Sequence, residues 1–202
     1  DKVLGSMIKA ELTKEELRWF DENVGLVEAS IGRMVPVQTE EMKAGNPLRV
    51  CVERYGFLPV DKAPFKGEIP QIENMIPFEP FDFFIRRKLY VHNMGHALCA
   101  YLGMYTHRDY IFEAMDDVNI QNIVMNAMLE SALALSKKYQ IPTENLVKHF
   151  QDLLIRFQNQ ALKDTCKRVG GDMKRKLAPE DRLIGASKLC MECGVFPVFI
   201  SI

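Results

Sequence analysis

Lys88, Asn93 and His96 lie in one stretch, Phe83 to Gly103, that contains no proline. On a helix turning about 100° per residue, positions 88, 92, 96 and 93 fall at roughly 0°, 40°, 80° and 140° around the axis. An amine, an amide and an imidazole then share one side, while the opposite side is apolar. A lysine made less basic by burial can exchange a proton with a substrate hydroxyl, an asparagine amide can stabilise a developing alkoxide, and a histidine can orient neighbouring hydroxyls. Together they suit alcohol–carbonyl chemistry without a metal. The plainer alternative for such a trio is a solvated helix face with a satisfied histidine, and spacing alone favours it. His92 and His96, four apart, also have metal-ligand spacing, but zinc hydrolases of that pattern carry Glu where Asn93 stands, and no third ligand is evident.

The elements expected to carry these residues are mostly helical. Thr13-Lys-Glu-Glu16 is a capping box leading into a short helix through Leu17 to Asn23. Residues 28–36 and 48–54 alternate like short strands, and the Pro- and Gly-rich stretch from Pro59 to Pro80 reads as a long connection. Helices follow over 82–104, over 117–138 on Ile120, Ile123, Val124, Ala127, Met128, Ala132 and Leu135, and from a cap at Thr143 to about 160. A polar basic segment, 163–176, precedes a last helix from Pro179 to about Cys193, with proline in its first turn. His107 and His149 have no partner pattern and read as surface or capping residues.

Arg87-Lys88-Leu89, Asn93, Gly95-His96 and Ala100-Tyr101-Leu102-Gly103 resemble, position by position, the Lys-x4-Asn-x2-His element of the mannitol dehydrogenase family, the polyol-specific long-chain dehydrogenases. Glu28 to Pro36, Val60-Asp61-Lys62 to Gly67 with Pro70, Phe157-Gln158-Asn159, Leu162-Lys163-Asp164, Arg168-Val169-Gly170, Arg175-Lys176-Leu177 and Asp181 to Ile184 continue the likeness in order, from about residue 15 to about 190. The resemblance implies a mainly α, multi-helical substrate-binding domain, like the C-terminal domain of 6-phosphogluconate dehydrogenases, with a few short strands near the N-terminus. It implies Lys88 as general base and acid, Asn93 holding the reacting oxygen and His96 orienting it. Arg168, Lys176, Asp61 and His92 become substrate contacts, although Asp61 on its own reads equally well as a turn residue.

A chain of 202 residues with 48% hydrophobic content can bury one substantial core. No Gly-x-Gly-x-x-Gly follows a strand, and Gly170-Gly171 falls in a basic polar stretch. The chain opens at Asp1 in polar sequence and closes on apolar Val195 to Ile202. It is therefore read as the substrate-binding domain of a longer enzyme, with residues 1–36 as the exit from an N-terminal Rossmann domain that binds NAD, and as short of the family's last helices. The cofactor-binding residues are expected on that other domain, and no metal is expected.

The formal charge is −1, with 26 Lys+Arg against 27 Asp+Glu, which argues against a nucleic-acid or anionic-membrane surface. No apolar run approaches the roughly 18–20 residues needed to cross a bilayer. Five cysteines, an odd number, suggest reduced thiols and a cytoplasmic setting. Cys190-x-x-Cys193 lacks a second pair or nearby histidines and reads as helix packing, and the 11 methionines read as core filler.

Lys163, Lys167, Arg168, Lys174, Arg175, Lys176 and Arg182 crowd into twenty residues, and such donors match phosphate oxygens, although a solvated loop would have the same composition. Members acting on free mannitol place Asn five residues before the arginine equivalent to Arg33, where this chain has Glu28, which supports the branch acting on mannitol 1-phosphate. The resemblance thus implies NAD-dependent conversion of a polyol phosphate, mannitol 1-phosphate, to fructose 6-phosphate. The alternatives are a fructuronate or tagaturonate reductase, a mannitol 2-dehydrogenase, or a non-catalytic helical module that binds a sugar phosphate or a protein.

Overall fold

The computed structural model describes residues 2–202. Its elements are helices α1 (Lys2–Ala10), α2 (Lys14–Asn23) and α3 (Glu40–Lys43), strands β1 (Leu58–Asp61) and β2 (Met75–Phe78), and helix α4 (Asp82–Arg87). A π-helical segment, Lys88–Asn93, then leads into α5 (Met94–Tyr105), followed by α6 (Ile111–Asp116), α7 (Val118–Tyr139) and α8 (Thr143–Phe157). A 3-10 turn at Gln160–Leu162 precedes α9 (Cys166–Gly170), α10 (Met173–Lys176) and α11 (Ile184–Glu192). The chain is mainly helical, as its patterning requires. It divides into two compact units: residues up to Arg33 with Arg54–Ile85, and Met34–Glu53 with Arg86–Ile202.

In the first unit the capping box forms: Thr13 N–H donates to Glu16 Oε2 at 2.9 Å and Glu16 N–H returns to Thr13 Oγ1 at 3.4 Å. The two strands lie in the stretch read as a connection. They pair in parallel from Leu58 opposite Met75 to Asp61 opposite Phe78. Of the strand expected over 28–36 only one antiparallel bridge exists, Ala29 with Val60. Phe78, Phe83 and Phe84 pack beside the pair, with Phe78 edge-on to Phe84 at 4.9 Å.

The other failed strand, 48–54, falls in the second unit up to Glu53, and the reason is local. The ladder groups of Cys51 are taken by a side chain: its N–H donates to Gln38 Oε1 at 2.7 Å and its carbonyl accepts from Gln38 Nε2 at 2.9 Å. An amide that imitates a neighbouring strand satisfies the backbone without a sheet. The helical expectations fare better. Every apolar position singled out in α7 is buried except Ile123, which is half-buried. Thr143 does not cap α8, because its hydroxyl is 2.8 Å from Ser136 Oγ. The last helix begins at Ile184, five residues later than expected, because Asp181 Oδ1 takes the Arg182 N–H at 2.7 Å and holds 178–183 in turns. The basic segment 163–176 is not a loop: Thr165 accepts from Arg168 N at 3.2 Å and caps α9, and α10 follows.

α5 packs against α6, α7 and α9. Two glycines allow the close approach. A Cβ at Gly95 would sit 2.6 Å from Met128 Sδ on α7, and one at Gly103 would sit 2.6 Å from Cys166 Sγ on α9. All five cysteines are unpaired. None of the described helices is long and apolar enough to cross a membrane.

The C-terminal segment is tied to α7 by one buried carboxylate. Glu130 accepts the Phe199 N–H at 2.9 and 3.2 Å and the Ile200 N–H at 3.1 Å. Glu130→Ala leaves those amides without an acceptor and should cost about 1–3 kcal/mol, read as a Tm lower by roughly 2–4 °C per kcal/mol in thermal denaturation.

Candidate active site

The helix carrying the Lys-Asn-His element is not α-helical throughout. Met94 N–H bonds back to Leu89, five residues earlier, so the chain from Lys88 to Asn93 winds with one extra residue per hydrogen-bonded loop. Lys88 opens this segment and Asn93 closes it. Winding more slowly than an α-helix draws residues five apart toward one side, where regular α geometry would hold them roughly 140° apart. Single π turns inside α-helices recur at functional sites.

Lys88 is half-buried, and among the described residues its amine has no ion pair or hydrogen bond. Burial lowers its pKa from the ordinary 10.5. The Asn93 side-chain amide is likewise half-buried and without a partner among the described residues. His92 is buried, and its imidazole is kept well below the ordinary range by that burial first and then by His96, Arg156, His149 and Lys88.

His96 stacks on Phe157, with ring centroids 4.8 Å apart and planes 14° from parallel, and His92 meets the same ring at 5.9 Å. Phe157 thus fixes both imidazoles. Asp164 Oδ2 lies 3.7 Å from His96 Nε2, too far for a good hydrogen bond, and Asp164 Oδ1 pairs with Arg168. The Asp164 backbone is itself held, its carbonyl accepting the Ile111 N–H at 2.9 Å. Despite the carboxylate, burial and then Arg168, Lys176 and Arg182 bring the His96 pKa down to about 3. The imidazole is neutral at physiological pH.

Both expected cations of the basic segment, Arg168 and Lys176, lie near enough to His96 to act on its imidazole. Arg168 reaches His96 through Asp164, while Lys176 is only 7% exposed and donates to the Val169 carbonyl. Asp61 lies in the first unit, where its Oδ1 accepts the Ala63 N–H at 3.1 Å in a turn.

Sequence reasoning passed over several residues here. Arg156 forms a buried pair with Glu53, and Glu53 also accepts the Met34 N–H. Arg156 stands near both His92 and His149. His149, expected as a surface or capping residue, is half-buried, and burial followed by Arg87 and Arg156 lowers its pKa to about 3. Phe157 and Asp164 lie in segments that carried the family resemblance, but nothing in the sequence tied them to His96. Among the described residues no group of three or more His, Cys, Asp or Glu side chains is gathered as a metal site would be.

A family model of the mannitol dehydrogenase C-terminal domain matches residues 81–198. The chain belongs to the mannitol dehydrogenase family. It is 36% identical over 198 residues to mannitol-1-phosphate 5-dehydrogenase of Caldanaerobacter subterraneus subsp. tengcongensis, an alignment taking in 96% of this chain and 50% of that protein. The chain thus spans half the length of that curated relative. Among solved structures it superposes on D-sorbitol dehydrogenase in substrate-free form, with a TM-score of 0.70, 16% identity and coverage of 90% of this chain and 39% of the other. It also superposes on Pseudomonas fluorescens mannitol 2-dehydrogenase in a ternary complex with NAD and D-mannitol, with a TM-score of 0.64, 17% identity and coverage of 95% and 40%. At these identities the likeness concerns the fold.

The neutral histidines make a pH prediction. His96 and His149 have folded-state pKa values near 3, below the ordinary 6.5, so between those values the unfolded chain binds more protons than the folded one. Stability should be full above about pH 6.5 and should fall progressively as the pH drops toward 3. Denaturant titrations across that range, with imidazole NMR signals of both residues that do not titrate between pH 8 and 5, are the expected result.

Proposed function

We propose that this chain is the substrate-binding and catalytic half of an NAD-dependent mannitol-1-phosphate 5-dehydrogenase, joined in a longer polypeptide to an N-terminal Rossmann domain. The observation that carries the reading is the half-buried Lys88 amine, unpartnered among the described residues, in a chain 36% identical to an enzyme of that name. A lysine that among the described residues has no carboxylate beside it, and whose pKa burial lowers, gives up its proton more readily than a surface lysine.

Lys88 takes the proton from the C5 hydroxyl of mannitol 1-phosphate as the C5 hydride leaves, and fructose 6-phosphate results. In the reverse direction the ammonium returns the proton. NAD, bound in this reading by the other half, supplies the hydride acceptor. The Asn93 amide donates to the reacting oxygen as charge builds on it. His96, neutral and held flat on Phe157, orients the adjacent hydroxyl without adding a competing positive charge. His92, Arg168 and Lys176 contact the polyol and keep its chain in register for transfer. Proton movement needs no metal in this scheme.

In the complete polypeptide, Lys88→Ala should lower kcat by about 10²–10⁴-fold at every pH, since a placed proton-transfer group contributes that much. The acid limb of the kcat/KM profile in the oxidation direction should lie below the ordinary lysine value of 10.5 and vanish in the variant. Turnover above half that of the parent would mean another group is the base. Assays with mannitol 1-phosphate, mannitol, fructuronate and tagaturonate side by side separate this reading from a mannitol 2-dehydrogenase or a hexuronate reductase. No turnover of any of them, in a polypeptide that binds NAD, would favour a non-catalytic binding module.

A further inference from the structure

The end of the site away from Lys88 holds donors that no role above uses. Asp164, Asp172 and Asp181 hold most of the cations there. Arg168 pairs with Asp164, and Arg175 bridges Asp172 at 2.6 Å and Asp181 at 3.4 Å. Lys176 is turned to the Val169 carbonyl. Arg182 is the exception. It engages Asp181 Oδ1 through Nε at 2.7 Å, and its two terminal amino groups have no partner among the described residues although the side chain is only 13% exposed. Tyr101, five residues beyond His96 on α5, has a buried hydroxyl that is also unpartnered. Its ring lies against the end of α9, where a Cβ on Gly170 would be 3.3 Å from Tyr101 Cε1, next to the Val169 carbonyl that holds Lys176.

A buried donor is almost always satisfied, so the open Tyr101 hydroxyl, with the unpartnered Arg182 fork close enough to act on it, points to a ligand that supplies the acceptors. An anionic ligand suits the seat, because the guanidinium keeps its charge and Asp181 engages it only through Nε. It must also present several oxygens at one atom, because the free Nη edge is a fork and the phenol is a separate donor. We propose that Arg182 and Tyr101 form the seat for the phosphate monoester of the substrate, the Arg182 fork gripping two phosphate oxygens and the Tyr101 hydroxyl donating to the third. The proposal rests on the dehydrogenase reading above and adds a direction to it. The substrate lies along the helix, with its reacting C5 at Lys88 and its phosphate beyond His96. The electrostatics agree: Lys88 is felt at His92, whereas Arg182 is felt at His96 and again at Tyr101, where burial raises the phenol pKa and Arg182 opposes the rise. Asp181, bound by both Arg175 and Arg182, serves as the positioning residue that aims the fork.

The test is binding and selectivity, with native fold checked by near-UV circular dichroism. Isothermal titration of this chain with inorganic phosphate and with mannitol 1-phosphate should show both binding at one competitive site. Arg182→Gln should weaken both by about ten- to a hundredfold, as expected for loss of a charge-assisted pair, and Tyr101→Phe by about two- to tenfold. Arg182→Lys, which keeps the charge but loses the fork, should fall between Arg182→Gln and the parent. In the complete polypeptide the ratio of kcat/KM for mannitol 1-phosphate over mannitol should drop by the same factors. The proposal is overturned if the parent chain binds no phosphate, if folded Arg182→Gln and Tyr101→Phe bind both probes as the parent does, or if the losses on mannitol 1-phosphate and mannitol are equal. It stands or falls apart from the catalytic reading, since Lys88→Ala tests turnover and leaves phosphate binding to report on Arg182 and Tyr101.

Discussion

The second unit is organised around a desolvation problem. Lys88, His92, His96 and His149 are ionisable groups withdrawn from water, and taking a charge into a poorly solvating interior is opposed unless a partner meets it. Among the described residues no carboxylate meets Lys88, Asp164 stays 3.7 Å from His96, and the histidines feel the cations Arg87, Arg156, Arg168, Lys176 and Arg182. The histidines therefore favour their neutral forms, and burial lowers the Lys88 pKa from its ordinary value. The same surroundings that make the site expensive to protonate leave its nitrogens available for proton exchange and neutral hydrogen bonding.

That electrostatic setting needs its own support. A cation as buried as Arg156 would be costly alone, and Glu53 meets it, with side chains only 11% and 6% exposed. Because Glu53 also takes the Met34 N–H, the pair fastens the short excursion Met34–Glu53 to the helical body. Asp164 has the matching task on the other side of His96: its backbone is held at the start of α6, and its carboxylate restrains Arg168. Between them Phe157 sets the plane of His96 by stacking, so ring orientation depends on packing rather than on a hydrogen bond.

The helix that carries the site can be buried so deeply because its neighbours approach at Gly95 and Gly103. Close packing on α7 and α9 brings two otherwise distant parts of the chain, Phe157 at the end of α8 and the cations of 168–182, to the same few residues of α5. The π segment is the local complement to this packing. It re-aims Lys88 and Asn93 at the point where the helix enters the core, and wider winding there is compatible with the small and apolar residues that follow.

The sequence by itself determined the helical class, the capping box at Thr13, the buried face of α7, and the candidates Lys88, His92, Asn93 and His96, because helical periodicity and short-range capping are set within a few neighbouring residues. It also supplied Arg168 and Lys176, though only through resemblance. The failed expectations were those in which a side chain took a backbone group's partner: Gln38 satisfying Cys51 in place of a strand, Asp181 delaying the last helix, Thr143 turning to Ser136. Alternation and propensity carry no record of such competition. What only the tertiary structure decided was charge state and company. Among the described residues Lys88 is left unpartnered, His149 lies near Arg87 and Arg156, His96 is laid on Phe157, and Asp61 is held in a turn with Ala63. Burial and long-range electrostatics depend on residues tens of positions away, so they exist only once the chain has folded.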